Sequence, residues 1–219
     1  GEGLFPNEKF SEIVELHHFS SIKYYKTEHF VLDYLKKGLS EKLLYHSVHH
    51  SIDVVQAVER IALSEGVTDE GLFLLKTAAI LHDAGFVKQY ENNESIGAEM
   101  AAEWLPNYGY TEQHIKTIVE LIHVTEIPHK PINKLQEIIC DADLDYLGRD
   151  DFEKISNRLR LELRGMKKLA SEREWDKIQV SFLKKHKYFT KTSIKARRKK
   201  KKENLKVVQK RVEEDEYQD

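Results

Sequence analysis

One segment constrains the fold more than any other. Between Asp69 and His82, the residues Leu72, Phe73, Leu74, Leu75, Ala78, Ala79, Ile80 and Leu81 leave almost no polar side to a helix. A helix that is apolar all round belongs at the centre of a protein. Other helices must therefore surround it. Its end, His82-Asp83, delivers two polar residues from the core to its rim.

The rest of the chain supplies the surrounding helices. The 219 residues contain only 4 Pro and 10 Gly, which fall mostly between apolar periodic segments, a pattern of long helices with short connections. The spacing predicts helices near 8–18, 28–38, 46–64, 69–82, 94–105, 111–123, 133–147, 150–168, 171–186 and 191–214. Thr111, Asn133 and Asp150 stand where helix caps are expected. No segment alternates with period two, so the expected class is all-α, a multi-helix bundle. The expected division is a helical lead-in over 1–26, a central helical domain over 27–170 that holds the polar groupings described below, and a helical extension over 171–219.

That extension is basic from Lys184 to Lys202, includes Arg197-Arg198-Lys199-Lys200-Lys201-Lys202, and ends acidic at Glu213-Glu214-Asp215-Glu216. Nucleic-acid binding through Lys191–Lys202 is possible, because clustered cations release counterions from polyphosphates. A solvated helical end is the favoured reading, since no aromatic side chain interrupts the run. Behind it Leu205, Val208 and Val212 are helically spaced, to dock on the domain or on a second copy in a homodimer.

Overall charge favours no polyanionic partner, the formal net charge being −2. The one cysteine, Cys140, has no partner for an internal disulfide and is expected to be buried. A reducing, cytoplasmic setting follows. No stretch is long and apolar enough for a membrane span. The start Gly1-Glu2-Gly3 shows no leader pattern, and a start on glycine suggests a fragment.

Three polar groupings carry the chemistry. In Tyr45-His46-Ser47-Val48-His49-His50, a helix places Val54, Ala57, Val58 and Ile61 within about 80° of His50. His46 lies one turn earlier on the same side, and His49 points away to solvent. Two imidazoles on an apolar face are metal ligands or hydrogen-bonded core histidines. His82-Asp83 at the end of the buried helix is the second grouping. A buried carboxylate is costly unless paired or on a metal, though an aspartate at a helix end can also bond local backbone. The third is Asp141-Ala142-Asp143-Leu144-Asp145. The face set by Leu135, Ile138, Ile139, Ala142 and Tyr146 leaves Asp143 nearer the core, roughly 80° from its centre against roughly 120° for Asp141. Asp143 is the better inward ligand, with Asp141 and Asp145 left to support it or to cap neighbours.

In order, spacing and helical setting these groupings resemble the signature of the HD-domain superfamily of metal-dependent phosphohydrolases. Tyr45-His46-Ser47-Val48-His49-His50 resembles its Tyr-His-x-x-x-His opening, Leu81-His82-Asp83-Ala84-Gly85 its central motif, and Ala142-Asp143-Leu144 its closing Ala-Asp-x-Leu. Asn93-Glu94-Ser95 before an Ala-rich helix is similar to small bacterial members. The resemblance spans roughly residues 27–165. It implies metal ligands His50, His82, Asp83 and Asp143, a divalent cation (Mn, Fe, Ni, Zn or Mg), and open positions for water and a phosphate oxygen. His123 would be the extra ligand for a second metal, or else a polar residue favoured by a helix C-terminus.

The activity implied is hydrolysis of a phosphomonoester or phosphodiester, with a small nucleotide first among substrates. Such a cation makes hydroxide from its bound water, and Asp83 serves both metal and catalysis. His46 resembles the general acid of the cyclic-nucleotide phosphodiesterases, although Ser47 stands where those enzymes usually carry Asn. Glu94 would orient water or a substrate amine, or simply stabilise a helix start. The acidic run of the ppGpp hydrolases is missing, since residues 84–88 read Ala-Gly-Phe-Val-Lys. The competing reading is a non-catalytic ligand-binding or signalling module on the same fold.

Overall fold

The computed structural model describes residues 7–218, with side chains from residue 21 onward. The helices are α1 (Asn7–Gly38), α2 (Val48–Ser64), α3 (Asp69–Leu81), α4 (Asn93–Trp104), α5 (Glu112–His123), α6 (Lys134–Asp143), α7 (Phe152–Gly165), α8 (Glu172–Lys185) and α9 (Lys191–Glu214). Short 3-10 turns cover 84–87, 105–108 and 145–148, and no strand occurs among the described residues.

The apolar helix is α3. Leu75, Ala78, Ala79, Ile80 and Leu81 are essentially inaccessible, and α1, α2, α5 and α6 pack around them. Thr68 starts α3 by accepting the Gly71 N–H. Thr111 and Asn133 cap α5 and α6 in the same way. Asp150 does not cap, because α7 begins one residue later, with Asp151 at its cap position.

Three helices differ from the sequence reading. Helix α1 is continuous where two were expected, because nothing between residues 18 and 28 is a Pro or a Gly. Helix α2 begins at Val48 rather than at residue 46. The N–H groups of Tyr45 and His46 instead donate to Glu162 on α7, at 3.1 and 3.0 Å, and Ser47 is extended. Helix α6 stops at Asp143, and the 3-10 turn 145–148 follows.

A second, smaller core lies beyond that turn. It joins Tyr45, Leu144, Tyr146, Leu147, Phe152, Leu183 and Val208, with Leu205 against it. Of the alternatives for Leu205 and Val208, docking on the domain is therefore what the fold shows. Gly148 allows α9 to approach, since a Cβ there would lie 2.4 Å from the Arg197 carbonyl oxygen. Among the described residues, no helix is long and apolar enough to cross a membrane.

Candidate metal centre

Three helices converge on one point. His50 lies in the first turn of α2, His82 caps the end of α3 with Asp83 next to it, and Asp143 is the last residue of α6. His50 Nε2 stands 3.3 Å from His82 Nε2, 3.1 Å from Asp143 Oδ1 and 3.4 Å from Asp83 Oδ2. His82 Nε2 is 3.2 Å from both carboxylates. His50 Nε2, His82 Nε2 and an Asp83 oxygen lie close enough together to hold one metal ion, and Asp143 Oδ1 stands beside both imidazoles.

The donors fit a divalent cation on other grounds. Asp83 Oδ2 is buried without a hydrogen-bond partner, a costly state that a bound cation relieves. His82 donates from Nδ1 to the Ala79 carbonyl at 2.7 Å, which leaves Nε2 as the ligand nitrogen, the usual support for a metal-binding histidine. Burial alone would lower the His82 pKa, but the Asp83 and Asp143 carboxylates raise it well above its ordinary value. Burial would raise Asp83 and Asp143, yet the surrounding histidines hold both below the usual carboxylate range. The cluster thus demands positive charge at its centre. Two imidazoles with two carboxylates suit first-row transition metals and tolerate Mg²⁺.

Asp141 and Asp145 point elsewhere. Asp141 is fully buried and accepts from Phe189 N, Thr190 N and Thr190 Oγ1 at 3.0, 2.8 and 2.7 Å, fixing the start of α9. Asp145 accepts from Arg60 at 2.8 Å and Arg197 at 2.9 Å, tying the turn to α2 and α9.

His123 is exposed, one residue beyond the buried Ile122, so it is no second-metal ligand. His129 is the histidine near the site that the sequence reading missed. Its Nε2 donates to the Thr125 carbonyl at 3.2 Å and lies 3.4 Å from Asp143 Oδ2. It sits in an irregular loop between Pro128 and Pro131, where helical periodicity carries no information. Cys140 is fully buried and burial pushes its thiol up, so it is no thiolate nucleophile.

His46 lies just before α2, its ring centroid 6.3 Å from that of His50. It stacks on Phe86 at 4.1 Å, and its Nδ1 is bonded to Glu162 Oε2 at 2.6 Å. Glu162 also accepts from the Tyr90 hydroxyl at 3.0 Å. Burial raises its carboxyl, but His46 and these bonds outweigh that and hold it below the usual range. No periodicity links residues 46, 90 and 162, so Glu162 and Tyr90 escaped the sequence reading. Glu94 occupies the first turn of α4, pressed close because Gly85 has no side chain: a Cβ there would lie 1.9 Å from the Asn93 carbonyl oxygen. Burial, and then the charges of Asp83, Glu126 and Asp143, push the Glu94 carboxyl up.

His46, His50, Asp83, Tyr90, Glu94 and Asp143 line one cavity of about 490 Å³, a size typical of small-molecule sites.

An all-helical fold whose core helix presents His-Asp, completed by a histidine and an aspartate from two neighbours, defines the HD class. Residues 47–145 match the family model for the HD domain, a span that includes His50, His82, Asp83 and Asp143. Over that span the chain is similar to the HD domain. An uncharacterized protein of Clostridium beijerinckii is 36% identical over 94 residues, 39% of this chain and 58% of that relative. The chain therefore matches less than two thirds of the relative's length. The crystal structure of a predicted HD superfamily hydrolase from an uncultured Thermotogales bacterium superimposes with a TM-score of 0.55 at 19% identity. That match covers 85% of this chain and 89% of the other, a likeness of fold.

Proposed function

We propose that the chain hydrolyses a phosphomonoester or phosphodiester at a divalent cation held by His50, His82, Asp83 and Asp143. The supporting observation is that His50 Nε2 and His82 Nε2 each lie 3.1–3.4 Å from an Asp83 and an Asp143 oxygen, with Asp83 Oδ2 left without a hydrogen-bond partner. When bound, the cation supplies hydroxide near neutral pH and neutralises charge on the phosphoryl oxygens.

The chain's own residues complete the chemistry. His46 lines the cavity with Nδ1 engaged by Glu162, so Nε2 is the atom that gives a proton to the leaving oxygen. The Glu162 carboxylate stabilises the imidazolium that holds this proton. Glu94 keeps a proton more readily than an ordinary glutamate, and orients water or a substrate amine at the cavity wall. A nucleotide is the first substrate that the family resemblance suggests, although the metal end itself is indifferent to what the phosphoryl group is attached to. The buried Cys140 is in keeping with a cytoplasmic setting.

The test is the metal content of protein purified without added metal or chelator, beside His82→Ala, followed by phosphate release from a panel of phosphoesters. Near-stoichiometric metal lost in the variant, with metal-dependent turnover, is the expected result. No metal, and none regained with Mn, Ni, Fe or Mg, would move the chain to the non-catalytic module reading.

A further inference from the structure

The cavity has two chemically different ends. One is the metal cluster. The other is walled by Phe152, Leu159 and Leu163 from one face of α7 and by Trp175, Ile178 and Phe182 from one face of α8. The two helices are tied together by the Ser156–Gln179 hydrogen bond and the Arg160–Glu172 ion pair. Between them the apolar faces are not closed. Leu159, Leu163 and Phe182 remain only partly buried, and Ile178 is 45% exposed. Apolar side chains that face one another across open space, in continuity with a metal cluster, form a receptacle for an apolar ligand.

The charges narrow that ligand. Among the described residues, no Lys or Arg lines the cavity, whereas Asp83, Glu91, Glu94, Glu126 and Asp143 all do. A bound divalent cation balances one phosphoryl group, and a second would meet carboxylates. The polar groups at the far end are already used. Gln179 accepts from Ser156 and donates to Asp176 at 3.0 Å, which turns its amide toward the α7–α8 contact and away from a ligand.

We propose that the substrate is a phosphoester of an uncharged alkyl or aryl group, the apolar part lying between α7 and α8. Leu159, Leu163 and Phe182 set specificity by excluding charged and strongly polar groups. The inference rests on the hydrolase reading in one respect, the placing of the phosphoryl group at the metal cluster.

Binding of non-hydrolysable n-alkylphosphonates, from ethyl to decyl, to Mn²⁺-loaded protein by calorimetry tests this without turnover. Affinity is expected to rise roughly three- to fourfold per methylene until the cleft is full. Leu159→Trp should abolish the gain for long chains and leave ethylphosphonate binding unchanged. Leu163→Gln, which adds no bulk, should shrink the gain per methylene, and thermal melts of both variants check folding. Affinity independent of chain length, or nucleoside monophosphates binding more tightly than octylphosphonate, overturns the proposal. The two readings fail separately. Length-dependent binding without hydrolysis of any alkyl phosphate removes the catalytic reading alone, and nucleotide turnover with flat phosphonate affinities removes this one alone.

Discussion

The Glu162 carboxylate holds His46 Nδ1 at 2.6 Å across 116 residues of sequence, and the same side chain binds the N–H groups of Tyr45 and His46. One carboxylate on α7 therefore fixes both the ring and the backbone from which that ring hangs. Glu162→Gln keeps an acceptor for the backbone but loses the charge facing the imidazole. The expected result is a fall in kcat of about ten- to a hundredfold, with KM and metal content little changed and the alkaline limb of the pH–rate profile moved to lower pH. Glu162→Ala leaves two N–H groups without an acceptor and should also cost about 1–3 kcal/mol in chemical denaturation. A KM effect with kcat intact would show that Glu162 does not act through His46.

Metal removal should be visible in stability as well as in activity. A ligand that binds only the folded state adds about 2.7 kcal/mol at a hundred times its Kd. Chelator treatment should therefore lower the Tm of the wild type, and readdition of the metal should restore it. His82→Ala, having lost a ligand, should melt at one temperature under both conditions.

The two neighbouring aspartates of α6 should separate function from folding. Asp143→Asn is expected to abolish metal binding and leave α9 in place. Asp141→Ala removes the acceptor of Phe189 N, Thr190 N and Thr190 Oγ1, and should cost about 3 kcal/mol, the range for breaking a buried charged network. Urea titration with metal analysis of both variants checks the division.

Acid should destabilise the protein through His186. Burial, then the charges of Lys201 and His129, lower its pKa to about 3, and its Nδ1 accepts from Lys201 Nζ at 3.1 Å. The folded state therefore keeps this ring neutral, while the unfolded chain protonates it near the ordinary value of about 6.5. Its contribution is intact above about pH 6.5 and is lost as pH falls toward about 3, by up to about 1.4 kcal/mol per pH unit. His186→Gln should flatten the stability profile over that window.

The basic run should divide in two. Arg197 is bonded to Asp145, while Arg198 and Lys199 are exposed. Arg197→Gln should cost about 1.5–3 kcal/mol by removing one charged donor from the buried Asp145 carboxylate, Arg60 remaining on it. Arg198→Gln and Lys199→Gln should stay within about 0.5 kcal/mol, which equilibrium denaturation resolves.

The sequence showed most plainly what periodicity could carry. The apolar α3, the inward turn of His50 and the preference for Asp143 over Asp141 all followed from angles around a helix, and those atoms meet in the structure. What it hid were contacts between helices far apart in the chain. Glu162 lies on a strongly charged helix where nothing marks it off from Glu153, and its role is visible only once α7 lies over Tyr45. Of the two readings of His123, the exposed end of α5 is where the structure puts it, as a polar residue at a helix C-terminus. The basic run misled by composition, since its count of cations does not tell that Arg197 and Lys201 turn inward.

The bonds from Asp141 to Thr190, from Asp145 to Arg197, and from the Leu147 carbonyl to Asn204 also order events in time. During synthesis all four ligand residues have emerged once Asp143 has left the ribosome. The segment that carries Asp143 nevertheless waits for about fifty further residues before Asp141 meets Thr190 and Asp145 gains Arg197 beside Arg60. A chain cut short before α9 therefore holds a cation-seeking cluster on a helix lacking part of its fastening, and a helix made later settles the chemistry of residues made before it.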